Sequence, residues 1–380
     1  MNTEMGVGII THVDVDGICS AAIAKIAYPE ADVEFEEPMT LGKRLRALPP
    51  DWGTVIILDL GIDVVQKEEI KNIFRELSKS RKIIYIDHHP LPPGINRRTL
   101  RCHAFVHATD VSTSELALKY FKPPDSLEYI ALLGAIGDYQ QHTPTMRRLM
   151  ARHYWRTAYL ETFLLEGALE VSRGDTYFRR GLVKGLSQGL WPSDIRELLS
   201  RAYLGLSQEM MLKSYVKRNA RKIARNIAVV NDVPFMATGK AASYLVQVTD
   251  AEIGIATFLD GNFVRLSARR AKDSDVNLRK LIGGAASKVG GLGGGHPAAA
   301  GGVVRVEKFK DFLKALKKGA ARKATLERSE GERPSRPHGN PRLGRGDAPA
   351  SLGARIVPTL RQRWAETPDY RSIENPPRQA

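Results

Sequence analysis

The chain has only two cysteines, Cys19 and Cys102, in 380 residues, so neither a disulfide framework nor paired-cysteine zinc spacing is available. Long apolar runs are missing too: none approaches the ~18 residues that crossing a bilayer needs. The opening MNTEMG lacks the basic-then-apolar order of a secretory leader. These absences predict a soluble cytoplasmic protein with no membrane partner. What the chain does have is core material and positive charge. Hydrophobic residues make up 43% and charged residues 26%, enough for a sizeable core and incompatible with global disorder. Lys and Arg number 57 against 42 Asp and Glu, and the resulting +15 suits a polyanion such as nucleic acid.

Composition divides the chain. Residues 321–380 hold eleven Arg, one Lys and eight Pro with few aliphatic clusters. Such a segment buries too little apolar surface to offset its ordering entropy, so 319–380 is expected to be a disordered Arg/Pro-rich tail. At the other end, GVGIITHVD, TVIILDLG and KIIYIDHH are continuous apolar runs ending in acids, the pattern of parallel strands covered on both faces. Ile70, Ile73, Phe74 and Leu77 follow helical spacing between the second and third runs. Ser112 with Glu115 reads as a capping box opening another helix. This alternation predicts an open α/β sheet, with mainly helical chain from about 126 to 200. Residues 1–195 are read as the first domain. A basic helical connector is expected over 196–230, with Lys213, Lys217, Arg221 and Arg225 on one face and Leu212, Val216, Ile223 and Ile227 on another. A smaller α/β domain is expected over 231–318, with a hairpin turning at Asp260-Gly261, a helix near 276–289 and the stretch GGLGGGHPAAAGG.

The acids at the strand ends carry the chemistry. His12, Asp14 and Asp16 follow the first run, and residues two apart point the same way in extended chain. Asp59 ends the second run, and Asp87, His88 and His89 end the third. In open α/β sheets ligands bind beyond the carboxyl ends of the strands, so these side chains share one rim. One Asp at a strand end is ordinarily a turn or cap; three successive acidic strand ends, two with His, are not. Carboxylates crowded together raise one another's pKa unless cations lie between them. Mixed carboxylate and imidazole donors suit manganese, zinc or iron, and the set points to two-metal hydrolysis.

THVDVDG, VIILDLG, IDHHP and LLGAIGDYQ, in that order, resemble the motifs of the DHH phosphoesterase superfamily, and VRLSARR with GGLGGGHPAAAGG resembles its DHH-associated C-terminal domain. The likeness spans roughly residues 6–305 and is nearest to archaeal RecJ-like and nanoRNase-like nucleases. It implies that His12, Asp14 and Asp59 hold one metal and that Asp16, Asp59, His88 and Asp138 hold a second, with Asp59 as the bridge. Asp138 enters only through the resemblance, because GAIGD reads equally as a turn and cap. Asp87 and His89 would orient ligands and contact the scissile phosphate.

In the second domain Gly293, Gly294 and Gly295 are expected to form an anion-binding nest, with Arg269 and His296 adding charge-assisted hydrogen bonds. The plainer reading is a glycine turn capping a helix near Pro297. Tyr139 is a candidate for base stacking, while Trp155, Tyr177 and Phe178 read as core. The expected activity is that of a metal-dependent phosphodiesterase with two divalent ions, Mn2+ or else Mg2+. It would release mononucleotides exonucleolytically from single-stranded DNA or RNA or from short oligonucleotides. Hydrolysis of cyclic dinucleotides or bisphosphonucleotides is the alternative, as is an accessory role beside replication or helicase proteins.

Overall fold

Apolar runs without two-residue alternation need cover on both faces, and the fold supplies it. The computed structural model describes residues 5–330. GVGIIT, WGTVIIL and KIIYID form β1 (Gly6–Thr11), β3 (Trp52–Leu58) and β4 (Lys82–Asp87) at the centre of a parallel five-stranded sheet in the order β2-β1-β3-β4-β5. The edge strands β2 (Asp32–Phe35) and β5 (Ala104–His107) have four residues each and are only partly buried, so they leave no comparable apolar run in the sequence.

One face of the sheet is covered by α1 (Val15–Ala27), α4 (Thr113–Phe121), α5 (Tyr129–Gly137), α6 (Pro144–Arg152), α7 (Trp155–Val171) and α8 (Thr176–Ser187). The other face takes α2 (Leu41–Arg46) and α3 (Lys67–Leu77), the latter burying Ile70, Ile73 and Phe74 as its spacing predicts. The Ser112 hydroxyl accepts from the Glu115 amide at 3.2 Å, but the Glu115 carboxylate accepts from Lys119 and Thr143 instead of closing the box.

The connector is shorter than its charge pattern suggests. α9 (Arg196–Asn219) ends where Ala220 turns extended, and residues 221–230 become β6 (Arg221–Ala224) and β7 (Ile227–Val230). Lys213 and Lys217 therefore lie on the helix while Arg221 and Arg225 do not, and the four-residue basic stripe breaks. Pairing of the β-branched run with its neighbours overrides the helical period. A six-stranded mixed sheet follows in the order β10-β11-β9-β8-β7-β6, built with β8 (Ile253–Asp260), β9 (Phe263–Arg270), β10 (Leu292–Gly295) and β11 (Ala299–Arg305). The β8–β9 hairpin pairs Asp260 with Phe263, so its two-residue loop is Gly261-Asn262, with Gly261 at φ 53°. α10 (Thr238–Thr249) and the end of α9 pack on one face; α11 (Leu278–Ser287) and α12 (Phe309–Glu330) pack on the other.

Both sheets lie within one compact unit, Met1–Ala324; the second unit, Thr325–Ala380, enters the described residues only as the end of α12. That helix continues past 318, so the expected tail does not begin at 319; residues 331–380 lie outside the described residues. Among the described residues no helix is long and apolar enough to cross a membrane. The first lobe is joined to α10 through Lys240, whose Nζ lies 3.3 Å from Glu209, 3.5 Å from Glu166 and 3.6 Å from Glu170.

Candidate metal centre

The carboxyl ends of β1, β3 and β4 meet at the point where the strand order reverses, between β1 and β3. His12 follows β1. Asp14 and Asp16 reach the same rim, but by a turn and not by strand alternation, because α1 starts at Val15. Asp14 is the N-cap of α1, its Oδ1 accepting from the Gly17 amide at 3.0 Å. Asp16, in the first helical turn, accepts from the Thr113 and Ser114 amides at 2.7 and 2.9 Å and so ties α1 to the start of α4. Asp59 sits just past β3 in the left-handed region at φ 58° and is 1% exposed. A non-glycine residue held there marks a position fixed by its surroundings.

The side chains form three overlapping groups with all donor atoms of each within 4.8 Å: His12, Asp14 and Asp59; Asp59, His88 and His89; and Asp16, His88 and Asp138. Asp59 is central. Its Oδ2 lies 3.8 Å from His12 Nδ1, and its Oδ1 lies 3.6 Å from His88 Nε2 and accepts from the Thr113 hydroxyl at 2.9 Å. Asp138, the C-cap of α5, brings Oδ2 to 3.4 Å from His88 Nε2. Gly134 allows α5 this close: a Cβ there would stand 2.3 Å from Ser114 Oγ and 2.8 Å from Asp16 Oδ1.

Asp87 is fully buried beside the group and orients one of its members. Its Oδ2 accepts from the Tyr85 hydroxyl at 2.9 Å, and its Oδ1 lies 2.8 Å from His89 Nδ1. Burial opposes the His89 charge, but Asp87 outweighs it and raises the pKa. With Nδ1–H held on Asp87, Nε2 is left as the ring's second polar atom.

The electrostatics describe crowded acids. Burial, then repulsion from Asp14, Asp16 and Asp87, pushes the Asp59 carboxyl well above its usual range. Burial also raises Asp16, and carries Asp138 up to about 6. Against its own burial, His12 is raised to about 10 by Asp14 and Glu37, and the same contact overcomes burial to lower Asp14 to about 2. His12 Nδ1 and Asp59 Oδ2 are buried without a hydrogen-bond partner. The 2.9 Å approach of His12 Nδ1 to Asp14 Oδ2 is a close charge contact that lacks hydrogen-bond alignment. Orphaned lone-pair donors aimed at one another across a buried acid cluster fit divalent cations.

The second lobe brings Arg269 and the glycine stretch to one corner, since Ala299 pairs with Arg269 and the β10–β11 turn stands beside it. The glycines do not form a nest and cap no helix. Gly293 and Gly294 pair with Gly302 and Gly301 in a hairpin, and only Gly295 has positive φ, at 131°. Packing explains the small residues here: a Cβ on Gly293 would meet Ile282 O and Ala286 Cβ at 3.1 Å. His296 is exposed, its amide donating to the Ala299 carbonyl at 2.7 Å. Arg269 is half-buried, its pKa lowered by burial, and it is not ion-paired among the described residues. With Arg173, Thr238 and Lys240 it lines a cavity of about 440 Å³.

Several site residues escape a reading of the sequence. Glu37 lies 3.4 Å from His12 Nε2; it follows β2, and the strand-end rule finds it once that strand is recognised. Thr113 donates to Asp59, and His107 Nε2 lies 2.8 Å from the His89 carbonyl; neither follows a motif. Arg179 is 8% exposed, has no hydrogen-bond partner at Nε, and lines a cavity of about 290 Å³ with Asp14, Asp16, Asp138 and Arg173. Trp155 and Tyr177, expected in the core, are 56% and 87% exposed, whereas Phe178 is buried.

Comparison with known proteins bears on this arrangement. The model for the DHH family, N-terminal domain, matches residues 6–146, and that for the DHHA1 domain matches residues 224–321. No curated protein matches the chain. Among solved structures, exonuclease RecJ bound to manganese is similar with a TM-score of 0.60 and 16% identity, over 85% of this chain and 91% of that one. RecJ in complex with Mn2+ from Thermus thermophilus has a TM-score of 0.56 and 17% identity, over 84% and 52%. The pGpG-specific phosphodiesterase PggH from Vibrio cholerae has a TM-score of 0.55 and 16% identity, over 83% and 99%.

Proposed function

The chain belongs to the DHH phosphoesterase superfamily, with a DHHA1 domain behind its DHH domain, and on that premise we propose that it is a two-metal phosphodiesterase releasing mononucleotides from single-stranded DNA or RNA. The observation that carries this reading is the sharing of Asp59 between two His/Asp groups at one strand-end rim. His12, Asp14 and Asp59 would hold one cation; Asp59, Asp16, His88 and Asp138 would hold the other. Mn2+ suits this donor set, and Mg2+ is the harder alternative. When bound, the pair supplies Lewis acidity that offsets charge building at phosphorus.

The chain's own groups do the rest. Asp87 holds the His89 ring through Nδ1, and a proton on Nε2 would be donated to a non-bridging phosphate oxygen, a contact that strengthens as charge develops there. Thr113 fixes the Asp59 carboxylate, and Asp16 anchors α4 so that Thr113 stays in place. Arg269, desolvated and without a carboxylate partner among the described residues, would take a phosphate of the terminal nucleotide, with His296 at the same corner. A grip on the terminal nucleotide favours exonucleolytic cutting over internal cutting. The likeness of the fold to an exonuclease supports this reading, and a dinucleotide-restricted enzyme is the second reading, favoured by the likeness to a pGpG-specific phosphodiesterase. The test is a Mn2+-supplemented digest of end-labelled single strands, duplexes, dinucleotides and cyclic dinucleotides. Mononucleotides released stepwise from single strands support the proposal; cleavage of dinucleotides alone or of cyclic substrates alone would replace it.

A further inference from the structure

Some of the exposed aromatics of the first lobe fall in a row. Trp155, Tyr159 and Phe163 recur every four residues along α7, with successive ring centroids 6.3 Å apart. Trp155 and Phe163 are 56% and 59% exposed, so the two ends of the row face solvent, while Tyr159 between them is partly buried against the core. The row reaches the metal centre through one contact: Gln141 Nε2 donates to the Tyr159 hydroxyl at 3.2 Å, three residues from Asp138. Between them stands Tyr139, 79% exposed and held in the left-handed region at φ 59°. Tyr154, at the start of the row, is held there as well, at φ 57°. Exposed aromatic rows flag a binding surface, and strained exposed residues beside a reactive centre point the same way.

Charge decides what the surface takes. Arg156 follows Trp155 on α7 and Arg148 lies on α6; both are exposed, and neither is ion-paired among the described residues. Rings with an unpaired guanidinium group beside the first of them, and with a hydrogen-bonded link toward a phosphoester centre, match a single strand: bases stack on the rings and phosphates meet the cation. We infer that Tyr139 and the Trp155–Tyr159–Phe163 row form a base-stacking track that delivers a single-stranded polynucleotide to the metal centre. The track rests on the phosphodiesterase reading and adds to it a preference for long strands over dinucleotides.

The test uses the full chain with Mn2+ and compares KM for a thymidine dinucleotide and a twelve-nucleotide oligothymidylate. Stacking is worth about 1–3 kcal/mol per base, about 5- to 150-fold. Trp155→Ala and Phe163→Ala are therefore expected to cut the ratio of the dinucleotide KM to the twelve-nucleotide KM about tenfold. Tyr177→Ala, an exposed aromatic on α8 outside the row, should leave that ratio as it is. Anisotropy of the labelled twelve-nucleotide strand, with Ca2+ in place of Mn2+, reads binding directly. A chain that cleaves neither substrate, yet binds the longer strand less tightly once Trp155 is removed, would end the phosphodiesterase reading and keep the track. Equal ratios and equal binding in wild type and row variants would overturn the track. Loss of self-association in sedimentation with the ratio unchanged would overturn it too, by making the row a contact between copies.

Discussion

Asp59→Asn separates what the fold wants from what the chemistry wants. The substitution keeps the carbonyl oxygen that accepts from Thr113, and asparagine tolerates the left-handed backbone at φ 58°. In the metal-free chain, burial and the acids around it hold the Asp59 carboxyl well above its usual value of 3.8. An acid with a raised folded pKa destabilises the fold above its unfolded pKa, by about 1.4 kcal/mol per pH unit until the folded pKa is reached. Asparagine avoids that cost. Metal-free Asp59→Asn should thus be more stable than wild type at pH 7 and melt at a higher temperature, with the gain fading toward pH 4. With Mn2+ the gap narrows. Wild type gains about 2.7 kcal/mol when the ion is present at about a hundred times its Kd, whereas the variant loses that increment together with hydrolysis. Thermal melts at pH 4 and 7, with chelator and with Mn2+, read all four corners. A metal-free variant that melts below wild type at pH 7, or one whose Mn2+ increment survives, would refute the reasoning.

Three further outcomes follow from the same geometry. His12, raised to about 10, is a cation at pH 7.5 and must lose its proton to donate a lone pair, so Mn2+ binding should release protons and tighten with pH up to about 10. Titration calorimetry in buffers of different ionisation enthalpy checks this, and an enthalpy independent of buffer would contradict it. Gly134→Ala drives a methyl into Ser114 and Asp16, so it should cost about 1–3 kcal/mol of stability and weaken Mn2+ binding; unchanged affinity would free Asp16 from the centre. Arg269→Ala removes a charge-assisted contact and should raise the oligonucleotide KM about tenfold or more with Mn2+ affinity preserved, whereas an unmoved KM would strip the residue of substrate contact.

The central strands were legible because β1, β3 and β4 are buried on both faces and must be continuously apolar, and their acidic ends named most of the candidate centre. Edge strands β2 and β5 were not, since partial burial leaves no such run, and Glu37 and His107 were hidden with them. Asp138 has no local signal: it caps a helix, and only the packing of α5 on α1 through Gly134 brings it beside His88. Beyond the first lobe, local pattern misled where tertiary pairing intervened. The basic period from Lys213 to Arg225 crosses a helix end, and the glycine stretch that suggested a nest is a hairpin whose small residues admit α11. Trp155 shows the converse, since an aromatic at helical spacing suggests core until the outward face of α7 is seen.

Electron paramagnetic resonance of the full chain titrated with Mn2+ tests the shared Asp59 most directly. Two equivalents bound per chain, with the narrowed hyperfine spacing of a spin-coupled pair that disappears in Asp59→Asn, is the predicted result. Signals of isolated Mn2+ only, at any loading, would contradict a centre in which one carboxylate serves both ions.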